Sequence, residues 1–204
     1  MTTRDDVLTS LIPQRLDAIA TLNLVLRLRA SWDAVKSMSV YFDGQLQITG
    51  NSNAFTNPVI EAGLVHCRAL LDFLGLRVSR TDPTKLAARG PKTQPDDWVI
   101  EDFANAAGPL PRVTPQQAVS KYKGDPVVAE SALASVLHSV NKGLAHITVG
   151  LLASATDIHA LEIATRGVPS LVISYLYTPL GLPAPTPSIS SRPRSDGSQE
   201  TPLK

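Results

Sequence analysis

The chain has 204 residues and a formal charge of +1; 43% of it is hydrophobic, 18% charged and 5% aromatic. That length fits one domain or one domain with a tail, and the near-neutral balance gives no global pull toward nucleic acid or an anionic membrane. A lone cysteine, Cys67, excludes an intramolecular disulfide and a thiolate-rich zinc site.

With few aromatic residues the core must be aliphatic, and Leu, Ala, Val and Ile favour helix-on-helix packing. The first segment, MTTRDDVLTSLIPQ, carries two acids and no apolar stretch of the secretory kind. LVISYL (171–176) is too short to cross a bilayer. The expectation is a soluble cytoplasmic protein with no membrane partner.

Residues 3–31 read as a helix, since Leu8, Leu11, Ile12, Leu16, Ile19 and Leu22 recur at three and four. Thr2 or Thr3 caps it, and Pro13 must kink it or restart it. Between 32 and 56, SMSVYFDGQLQITGN alternates weakly around Asp43-Gly44, a hairpin signal. The competing reading is a loop, or a helix ending near Tyr41. A lone two-stranded hairpin needs something to pack on, which favours the loop.

Residues 57–76 predict a second helix with Asn57 as cap, Pro58 in its first position and Gly75 as stop. Residues 77–95, rich in Pro, Lys and Arg, read as a long exposed loop. DDWVIEDF (96–103) reads as a short helical turn capped by Asp96, with Trp98 and Phe103 anchoring it on the core. Thr114-Pro115 opens a short helix. Residues 127–152 form a long helix, and 156–177 a last one interrupted by Pro169. Residues 178–204 hold six of the sixteen prolines and no aromatic residue, the composition of a disordered tail. The domain therefore spans 1–177.

Three constellations could carry chemistry. In the second helix His66 falls on the apolar stripe, where a buried ring needs a polar partner, expected from the long helix. Arg68 and Asp72 are four apart and should meet on the surface. In the long helix His138, Lys142 and His146 follow at spacings of four, with Asn141 beside them. A lysine between two imidazoles keeps both neutral, fit to act as bases. In the acidic stretch Asp96, Asp97, Glu101 and Asp102 could bind a cation or do acid–base work. An acidic first helical turn is the plainer account. Neither metal nor cofactor is implied, as phosphate-loop, dinucleotide, HExxH and nucleophile-elbow motifs are all missing. Cys67 reads as a small buried hydrophobe.

HCRALLDFL, then DDW with its acidic turn, then NKGLAHIT resembles a group of small bacterial helical proteins similar to the HEPN superfamily. The resemblance covers roughly residues 55–150. It implies a helical bundle and a setting among RNases or RNA-binding parts of toxin–antitoxin and phage-defence systems. The superfamily pattern places an Arg four to six residues before a late-helix His. Here Val140, Asn141 and Lys142 stand where that Arg belongs, so only His146 carries over, with Asn141 as a polar neighbour. Without the Arg, charge on a scissile phosphate loses its stabiliser.

Together these readings predict an all-α bundle of four or five main helices. Its function would be non-catalytic binding of a protein or RNA partner through His66, His138, Asn141, Asp96 and Asp97. The alternative is a metal-independent RNase using His146 with Lys142 or Arg68. A third reading is a structural homodimer formed through the long helix.

Overall fold

The structure, a computed structural model, describes residues 2–91, 94–140 and 158–188. The first helix, α1, runs as Arg4–Asp6, a π-helical turn Val7–Leu11, and Ile12–Ala30. Thr3 caps it: its hydroxyl accepts from the Asp6 amide while the Asp6 carboxylate accepts from the Thr3 amide. The widened turn is how the helix carries Pro13. The Ile12 amide donates to the Val7 carbonyl, which leaves the Leu8 carbonyl facing a proline that has no N–H to give. The Tyr177 hydroxyl supplies the missing donor at 2.6 Å, and burial pushes that phenol up to about 12.

Strands β1 (Ser37–Phe42) and β2 (Gln45–Asn51) form an antiparallel hairpin. Asp43 and Gly44 both take positive φ, 50° and 78°, as a tight hairpin turn demands. β2 passes through Ser52 directly into α2 (Asn53–Phe73). The Ser52 hydroxyl accepts from the Lys36 amide and its own amide donates to the Lys36 carbonyl, closing the foot of the hairpin. Asn57 is therefore not the helix cap. It lies inside α2, where its side-chain oxygen accepts from Arg29, and Pro58 is an interior proline.

Gly75, at φ 96°, ends α2. A Cβ there would stand 2.8 Å from that of Arg112. Two short sheets follow: β3 (Leu76–Val78) with β4 (Leu86–Ala88), and β5 (Ala104–Asn105) with β6 (Gly108–Pro109). The helices α3 (Pro115–Val119), α4 (Pro126–Ser139) and α5 (Ile158–Val172, then a π turn Ile173–Tyr177) complete the described chain.

The all-α expectation is thus overturned. Among the described residues there are five helices, but 14% are in strands, in three two-stranded antiparallel sheets. The physical reason differs by sheet. β1–β2 forms on its turn chemistry with little of the body behind it. β3–β4 forms inside the segment read as an exposed loop because Leu76 and Leu86 are buried. Glu130 of α4 also accepts from the Leu86 amide and from Lys85.

The core lies among α1, α2, α4 and α5, with the broadest contact between α1 and α2 and the next between α4 and α5. Ile19, Leu22, Leu70, Leu71, Val136 and Val168 are fully buried, each such side chain contributing about 1.5–3 kcal/mol. Beside the Tyr177–Leu8 bond, Asn23 of α1 donates to the Thr165 hydroxyl of α5 at 2.8 Å. Residues 178–188 stay on the body: Leu180 packs against the core and the Ser188 amide donates to Asp17. No helix among the described residues is long and apolar enough to cross a membrane.

Candidate functional site

His66 is half-buried on α2, and its polar partner comes from α1 rather than from the long helix. Arg15 Nη1 lies 3.1 Å from His66 Nδ1. A guanidinium only donates, so Nδ1 accepts and the ring proton sits on Nε2. Burial, and after it the Arg15 charge, holds the imidazole below its ordinary value. The result is a neutral ring that joins two helices. Next to it Cys67 is fully buried, and burial drives its thiol far up, out of nucleophilic range.

Arg68 and Asp72 both reach solvent. Crowding around the Asp72 carboxyl lifts it, Arg89 and Arg68 pull it back, and Asp97 adds to the rise. The acidic stretch does not gather its carboxylates. Asp96 and Asp97 stand exposed in the turn before Trp98. Asp102 Oδ2 accepts from the Val99 amide and so caps the 3₁₀ turn Ile100–Asp102, the role expected of Asp96.

Glu101 is held by two arginines: Arg112 Nε donates to Oε1 at 2.7 Å, and Arg89 Nη2 faces Oε2 at 3.6 Å. The Arg89 side chain is only 10% exposed. Arg112 also donates to the Arg89 carbonyl, which locks the loops around Gly75 together. Among the described residues, no three His, Cys, Asp or Glu side chains are grouped to hold a metal. His138 is half-buried on α4, while Asn141, Lys142 and His146 lie outside the described residues. Of these candidates the structure brings Arg68 and Asp97 around the Asp72 carboxyl, while His66 pairs with Arg15.

What it does expose is the β1–β2 hairpin. Val40 pairs with Ile48 and Tyr41 with Leu46, so Gln47 bulges out of the ladder. Met38, Val40 and Phe42 alternate onto one face, and Ile48 opposite Val40 shares it. Ser37, Ser39, Thr49 and Asn51 make the other face polar near the foot; Tyr41 and Leu46 occupy it near the tip. Tyr41, Phe42, Leu46 and Ile48 are 58%, 63%, 51% and 51% exposed. Val35 before the hairpin and Phe55 after it are also exposed. Asp43 is the sole charged residue between 37 and 51. The sequence signals were present, as alternation around Asp43-Gly44. They were outweighed in the sequence because a lone two-stranded hairpin needs something to pack on, which favoured a loop.

Comparison with known proteins finds no matching family model, no matching curated protein and no matching solved structure.

Proposed function

We propose that this is a non-catalytic binding protein whose partner is a protein, held at the β1–β2 hairpin. The observation that carries the reading is the exposure of Tyr41, Phe42, Leu46 and Ile48 on an element with no lysine or arginine. Large exposed apolar patches mark association surfaces, and a surface without cations offers RNA phosphates nothing to bind. In the basic segment 77–95, Lys85 is engaged by Glu130 and Arg89 by Glu101. The setting suggested by the HEPN resemblance is toxin–antitoxin or phage defence.

The RNase alternative needs His146 and Lys142 to act without the superfamily's Arg. Lysine is a point charge and lacks the bidentate fork that guanidinium offers a phosphate. The test is incubation of purified protein with mixed single-stranded RNA, wild type beside His146→Ala and Lys142→Ala. The expected result is intact RNA in all three. Metal-independent cleavage by wild type, abolished in both variants, installs the RNase.

A further inference from the structure

We infer that the hairpin takes its partner by strand addition: an extended, uncharged segment of another protein pairs with the outer edge of β1. The inference rests on the reading of the hairpin as a protein-binding surface and names how that surface binds. The ladder fixes which groups the edge offers. The Ser52 amide donates to the Lys36 carbonyl, and the register continues through Ser37↔Asn51, Met38↔Gly50 and Ser39↔Thr49. Bonded and non-bonded pairs alternate in an antiparallel ladder. Met38 and Val40 therefore bond to β2, while the amides and carbonyls of Ser37, Ser39 and Tyr41 point away from it. Those of Thr49, opposite Ser39, point to the outer edge of β2. Among the described residues no main-chain bond from outside the hairpin reaches Ser37, Ser39 or Tyr41, and all three are exposed. A row of donors and acceptors repeating every two residues, about 7 Å, is matched by another strand.

The two edges are not equivalent. Strand edges are ordinarily guarded by lysine, proline or a bulge. β2 has its bulge at Gln47. β1, SMSVYF, has no charge, no proline and no glycine. The side chains also favour an edge over a face. Phe42 and Ile48 are exposed on one face, Tyr41 and Leu46 on the other, while Met38 and Val40 are half-buried. A partner lying on either face leaves the other pair bare. A strand beside β1 sends alternate side chains to both, next to Phe42 on one face and Tyr41 on the other. It meets no charge within β1, so it is uncharged where it pairs.

The test is residue-resolved amide exchange on the full chain. The probe is a blocked peptide of alternating threonine and valine, about seven residues long. At about 1 mM peptide the amides of Ser37, Ser39 and Tyr41 should exchange about fivefold more slowly, as for a dissociation constant of roughly 0.25 mM. The Thr49 amide should stay within about twofold. Ser39→Pro removes a donor from the β1 edge and should abolish the protection; Thr49→Pro makes the same change on the β2 edge and should leave it. N-methylating the central amides of the peptide spoils both of its edges and should abolish the protection in wild type. If the Met38 and Val40 amides lose their own protection in Ser39→Pro, the hairpin has opened and the methylated peptide decides.

Equal protection at Thr49, or protection that survives Ser39→Pro or the methylated peptide, overturns the inference. Edge protection that grows with protein concentration in the absence of peptide overturns the foreign partner, since a second copy then supplies the strand. Peptide that perturbs the Phe42 and Ile48 side chains with the β1 amides unprotected overturns strand addition and leaves the binding-surface reading standing. Peptide that leaves the whole hairpin unperturbed overturns both.

Discussion

Two glycines, both inside helices, should respond to the same substitution with opposite sign. Gly63 faces α1 across the broadest helix contact in the molecule. A Cβ built there stands 2.5 Å from Leu22 Cβ and 2.8 Å from Leu22 Cδ2, where ordinary carbon contacts lie at about 3.5–4.0 Å. The nearest atom is the Cβ of a fully buried residue, so no side-chain rotation relieves it. The two helix backbones must part. Overpacking of this kind costs about 1–3 kcal/mol, and the helix-propensity gain of alanine returns about 1 kcal/mol. With a Cβ–Cβ conflict the upper end applies, so Gly63→Ala should destabilise by about 2 kcal/mol and lower Tm by about 4–8 °C. Gly167 on α5 is different: its added Cβ meets only Leu133 Cδ2, at 3.6 Å. There the propensity gain stands unopposed, and Gly167→Ala should stabilise by about 0.5–1 kcal/mol. Urea unfolding of both variants at one temperature measures the contrast. Equal signs, or a stabilising Gly63→Ala, would refute the close approach of α1 and α2 on which this fold depends.

Glu101→Gln removes the carboxylate between Arg112 and the nearly buried Arg89, and urea unfolding should record a loss of about 2 kcal/mol, since a buried guanidinium is left uncompensated. His66→Gln keeps an acceptor for Arg15 but cannot titrate. In wild type the folded imidazole resists protonation that the unfolded chain accepts below about 6.5, so the unfolded state binds more protons and stability falls with acid. Between about pH 7.5 and about pH 5.5 the loss of stability should be shallower in His66→Gln, and parallel curves would count against the neutral His66–Arg15 contact.

The helices were legible because their periodicity is long and their caps local. Thr3 with Asp6 and Thr114 with Gln117 are capping boxes readable from four residues each. Gly75 as a stop is equally local. What failed was tertiary. Nothing near Leu86 announces that Glu130, more than forty residues on, will accept from its amide and fix a strand there. Asn57-Pro58 is a strong start signal in isolation, yet β2 delivers the chain in helical geometry at Asn53 and α2 simply runs through it. The partner of His66 was foreseen as polar but placed on the wrong helix, because stripe geometry says that a neighbour is needed and not which element brings it. Asp96 lost its capping role to Asp102 for a similar reason: the stretch turns late, once Val99 and Ile100 are buried.

Several polar groups in and around the candidate segments are consumed by the fold. Glu101 is taken by two arginines, Lys85 by Glu130, His66 by Arg15 and Asp102 by the Val99 amide. Each bond lowers the free energy of the folded state and, in the same act, withdraws a group from solvent chemistry. The hairpin is the reverse case. Its side chains contribute little to the core, since Tyr41, Phe42, Leu46 and Ile48 leave half or more of their surface in water. Exposed apolar area of this extent carries a free-energy cost that the isolated chain does not recover, about 25 cal/mol for each Å² that association could bury. The same separation makes the surface experimentally accessible: Ile48 lies outside the buried core cluster, so a charge placed there tests association more than core packing.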